Sequence, residues 1–106
     1  MTPNRIIIVG GGPVGLVTAT ALAAADIPVT VVEESVDVTD DLRASTFHPP
    51  TLDFLDKFGV TQSLIAQGLI CPLWQFRDRR EGPIATFDLS ALAGETAFPY
   101  RLQCEQ

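Results

Sequence analysis

The chain has 106 residues, 46% of them apolar and 19% charged, a composition that excludes a disordered tail, a collagen-like repeat and a coiled coil. A chain of this length buries roughly two-thirds of its unfolded surface, enough for one modest core, so separate cofactor and substrate domains are not expected within it. Thirteen acidic against seven basic side chains leave a net charge of −6, and the arginines are scattered apart from Arg77, Arg79 and Arg80, so no nucleic-acid surface is expected.

From Ile6 to Ala25 run twenty uncharged residues, which a hydropathy window reads as a membrane span or signal peptide. Gly10, Gly11, Gly12 and Pro13 interrupt that stretch, and glycine and proline both weaken a continuous helix. Split at the glycines, Arg5 to Val9 reads as a fully buried parallel strand, β-branched and without alternation. Pro13 suits the first turn of the helix that follows, because its fixed φ is helical and its missing N–H needs no partner there. The helix is rich in Ala and Leu from Leu16 to Ala25, Asp26-Ile27-Pro28 ends it, and Val29 to Val32 forms a second strand closing on Glu33. Strand, glycine turn, helix and parallel strand define a βαβ unit, so an α/β fold of Rossmann-like type is expected.

Gly10-Gly11-Gly12-Pro13-Val14-Gly15 fits G-x-G-x-x-G. Gly10 permits the tight turn, Gly12 leaves room for a pyrophosphate, and Gly15 lets the helix lie close on the strands, a face that Ala19 extends. The amino-terminal helical turn, with Pro13 and Val14, offers unpaired N–H groups and a partial positive charge to a diphosphate. Glu33 lies 18 residues after Gly15, near the spacing at which an acid meets a ribose 2′-hydroxyl. Strand alternation puts Glu33 and Glu34 on opposite faces, so one of them points at the ribose, and Glu33 is the expected one. Both carboxylates repel a 2′-phosphate, which favours FAD or NAD over NADP. Asp37 to Phe47 is polar and acidic and carries no third strand where an NAD-binding domain usually has one.

Ile6 to Leu16, then Val31-Val32-Glu33, Arg43-Ala44 and His48-Pro49 before Thr51-Leu52-Asp53-Phe54-Leu55, resemble the FAD-dependent aromatic-ring hydroxylases related to para-hydroxybenzoate hydroxylase. The match runs nearly the whole chain. It implies a glutathione-reductase-type FAD-binding unit, with Gly10, Gly12 and Gly15 on the pyrophosphate, Glu33 on the adenosine ribose and Arg43 on the flavin nucleotide. A cofactor-contacting glutamine of the family falls on Gln106, with Gln103 as the alternative. The family's later glycine-aspartate motif is absent, so the chain is expected to be an incomplete domain, the amino-terminal part of such an enzyme. The implied reaction is NADH- or NADPH-dependent insertion of one oxygen atom of dioxygen into a phenolic or related aromatic substrate, with no catalytic residue assignable and no turnover expected from this piece alone.

Further along, Pro50 to Phe58 reads as a short helix with Leu52, Leu55 and Phe58 in the core and Gly59 at its end. Thr61 is expected to cap a second helix reaching Gln67, with Leu64 and Ile65 inward and Gly68 ending it. Leu73 to Asp78 and Ile84 to Leu89 alternate around Arg80-Glu81-Gly82-Pro83, a β-hairpin that by the resemblance opens a substrate domain over residues 71–98. The FAD-binding unit and helices then occupy residues 1–70, and residues 99–106 return to it. Trp74, Phe76 and Phe87 read as packing residues of that hairpin.

His48, the single histidine, has no Ser, Cys or Asp in a triad-like arrangement and reads as a surface or capping residue. Cys71 and Cys104 lie 33 positions apart with no Cys-x-x-Cys, so no metal site or disulfide is expected and a reducing, cytoplasmic setting is. Expected partners are a small aromatic substrate and, as an open class, a second copy of the chain; a membrane is not expected. Two rival readings stand beside the flavoprotein: an NAD-dependent dehydrogenase unit, which leaves Arg43 without a role, and a non-catalytic nucleotide-binding remnant with open sheet edges.

Overall fold

A computed structural model describes residues 4–38 and 44–105. The chain divides into two compact units, Met1–Leu42 and Arg43–Gln106. The first is the expected βαβ unit: β1 (Ile6–Val9), α1 (Pro13–Ala24) and β2 (Val29–Val32). The strands pair in parallel, with Ile6 opposite Val29 and Val9 opposite Val32. One further bond, from the Gly10 N–H to the Val32 carbonyl at 2.7 Å, carries the ladder into the glycine turn.

α1 opens with proline in its first turn and no side-chain cap. Within it the Thr18 and Thr20 hydroxyls donate to the carbonyls of Val14 and Leu16, which satisfies two polar groups locally. It stops where Asp26 takes a left-handed φ of 58°, and the Ile27 N–H returns to the Leu22 carbonyl. At 12 residues it is too short to cross a membrane, and no described helix is long and apolar enough to do so.

The expectation of a fully buried β1 is not met: Ile7 is 66% and Val9 85% exposed. The reason lies in the pleat. Ile8 faces α1, beside Gly15, so Ile7 and Val9 point to the opposite face, which no element of this unit covers.

The second unit is built around a three-stranded antiparallel sheet in the order β3 (Thr46–Phe47), β7 (Arg101–Gln103), β4 (Leu69–Cys71). Central Leu102 pairs with Phe47 on one side and Ile70 on the other. It is fully buried with Leu52 and Phe98, and Phe47, Leu64, Ile65, Tyr100 and Cys104 surround that cluster. β3 is the only regular structure described between β2 and the next helix, and it is antiparallel, so the parallel third strand of an NAD-binding domain is absent from the described residues.

α2 (Pro49–Asp56) begins one residue earlier than expected and buries Leu52 and Leu55, while Phe58 lies beyond it, half-buried. Gly59 makes the following turn at φ +73°. α3 (Thr61–Gln67) has the expected extent, but Thr61 is not its cap. Its buried hydroxyl donates to the Leu52 carbonyl at 2.6 Å, and Val60 occupies the capping position. Burial leaves the hydroxyl no water, so it satisfies a carbonyl of α2 instead of an amide of its own helix. Gly68 is required for a second reason besides ending α3: a Cβ there would stand 2.8 Å from the Gln103 carbonyl of β7.

β5 (Leu73–Asp78) and β6 (Gly82–Asp88) form the expected hairpin, with the turn moved to residues 79–81 and a bulge between Phe76 and Arg77. Asp78 sets that turn by accepting the Arg80 and Glu81 N–H groups at 2.7 and 2.9 Å, and Gly82 follows at φ +79°. These bonds hold the Asp78 carboxyl below its usual range, the Glu81 amide contributing most. Trp74, Phe76 and Phe87 share one face, with ring centroids 4.8 to 6.2 Å apart. A short 3₁₀ turn, Leu89–Leu92, follows β6, started by Asp88 accepting the Ser90 N–H at 2.9 Å.

Candidate functional site

The glycine turn between β1 and α1 has the three properties expected of a diphosphate cradle. Gly10 sits at φ +105°, a conformation that side chains disfavour. Gly12, the residue before α1, has no atom within 4 Å of where a Cβ would stand, so the backbone is open to an approaching group. Gly15 is the close-packing position: a Cβ there would lie 2.1 Å from the Gly10 carbonyl oxygen. Pro13 has no N–H, and the amides of Val14 and Gly15, in the first turn, lack intrahelical partners. An anion at this end of α1 meets donors and the positive end of the helix dipole.

Glu33 is tied back to this turn. One carboxylate oxygen accepts the Gly11 N–H at 2.6 Å and the other accepts the Ser35 N–H at 2.9 Å. These bonds, Ser35 first and Gly11 second, hold the carboxyl below its usual range. An ionised carboxylate offers about four acceptor sites, more than these two bonds occupy, and Glu33 is exposed. Sequence reading missed the Gly11 bond, because it joins residues 22 apart through a turn whose shape the glycines alone do not specify. Glu34 is exposed and makes no such bond.

The FAD pyrophosphate and adenosine ribose therefore fit the residues present: an open Gly12, free helix-end amides and a carboxylate with spare acceptor capacity. Arg43 and Gln106, the other two expected contacts, lie outside the described residues. Gln103 is exposed on β7, its amide donating to the Ser45 hydroxyl at 3.3 Å. His48 stands at the start of α2 without capping it. Cys71 and Cys104 are free and half-buried.

A family model described as an FAD binding domain matches residues 4–100 of the chain. The chain belongs to this family. Among curated proteins it is similar to para-nitrophenol 4-monooxygenase of Pseudomonas sp. (strain WBC-3), 40% identical over 101 residues, which is 95% of this chain and 25% of that protein. It is also 40% identical over 103 residues to 6-hydroxy-3-succinoylpyridine 3-monooxygenase HspB of Pseudomonas putida (strain DSM 28022 / S16), covering 97% of this chain and 26% of the relative. Among solved structures, p-nitrophenol 4-monooxygenase PnpA from Pseudomonas putida DLL-E4 superposes with a TM-score of 0.86 at 37% identity, covering 97% of this chain and 27% of that one. The chain thus spans about a quarter of the length of the curated relatives it matches. Membership of an FAD-binding family favours the flavin over the nicotinamide reading of the glycine turn.

Proposed function

We propose that this chain supplies the Rossmann-like dinucleotide cradle of a flavin-dependent monooxygenase acting on an aromatic or related substrate, with NADH or NADPH as reductant. The supporting observation is the glycine turn, open at Gly12 and braced by Glu33, in a chain whose relatives are named as monooxygenases. In this reading Gly10, Gly12, Pro13, Val14 and Gly15 receive the FAD pyrophosphate and Glu33 takes the adenosine ribose. Arg43 contacts the flavin nucleotide and Gln106 a further part of the cofactor, while Glu34 adds negative charge against a 2′-phosphate. Residues 1–70 form the cofactor unit, the hairpin region 71–98 opens a substrate domain and residues 99–106 return to the first.

The bound flavin supplies the redox chemistry, and the chain's own residues bind and orient it. Gly12 leaves the space, the helix amides donate to phosphate oxygens, and Glu33 accepts from hydroxyls while fixing the Gly11 peptide.

Titration of the purified chain with FAD, followed by flavin fluorescence, tests this reading. Saturable binding is expected, abolished in Gly12→Val and weakened in Glu33→Ala. NAD binding in preference to FAD would move the chain to the dehydrogenase reading, and a folded chain that binds neither would leave the glycine turn purely structural.

A further inference from the structure

We draw no further inference here: the strongest candidate, the β5–β6 hairpin, which pairs with no other described strand and leaves Trp74, Phe76 and Phe87 exposed on one face, carries nothing because nothing in the structure shows what covers that face.

Discussion

The two units achieve order by different means. In the first, no residue of α1 is buried, and the precision lies in backbone: Gly10 at a positive φ, Gly15 under the Gly10 carbonyl, Glu33 on the Gly11 amide. In the second, a small apolar cluster of Leu52, Phe98 and Leu102 is closed by a buried hydroxyl on Thr61. A site for a charged nucleotide needs donors held in place and open to a ligand, which a turn provides. A sheet sealed by two helices needs apolar side chains removed from water, which a turn cannot provide.

The largest test of this contrast is Leu102→Ala. Removing a fully buried leucine at the sheet centre is expected to destabilise the second unit by about 2–5 kcal/mol. Amide exchange should rise in β3, β4 and β7 and stay unchanged in β1 and β2; a uniform rise across both units would show that they unfold as one.

Gly15→Ala should do the converse. With its Cβ placed 2.1 Å from the Gly10 oxygen, it is expected to cost about 1–3 kcal/mol by overpacking, confined to β1, α1 and β2 in the same measurement, and to remove FAD binding. Thr61→Val keeps the shape and removes the donor to the Leu52 carbonyl, for a loss of about 1 kcal/mol in denaturant unfolding.

The gentlest probe is pH. The Glu33 carboxyl is lowered in the folded chain, so the order it gives the turn is complete above the ordinary carboxylate value of about 4.3. It is lost as pH falls through the lower folded value. The Gly11 amide resonance should therefore hold steady from neutral pH down to about 4.3 and move only below it, and Glu33→Gln should abolish that titration.

The βαβ unit was legible because its signals are local: a β-branched run, three glycines with a following proline, an Ala-rich helix and a second β-branched run ending in acid. The hairpin was legible from its alternation, although Asp78 and Gly82 place the turn tighter than the Gly-Pro pair indicates. Thr61 misled because capping preference describes an exposed helix start, and this one is buried against α2. The burial expected of β1 failed because β-branched residues without alternation record what a strand requires on both faces, and this unit covers one.

Trp74 shows the same limit within the second unit. Its packing with Phe76 and Phe87 followed from strand alternation, but its neighbour Arg101 lies 27 positions away and arrives only when β7 returns beside β4.

By itself the sequence determined the glycine turn, the order of the elements and the acid at the end of β2, because each depends on backbone preferences and spacing within a few residues. Tertiary structure alone decided that Glu33 holds the Gly11 amide, that Thr61 serves Leu52, and that Arg101 stacks on Trp74. Those contacts join segments far apart in the chain, and a hydrogen bond or a stacked cation is fixed by where two segments meet in space.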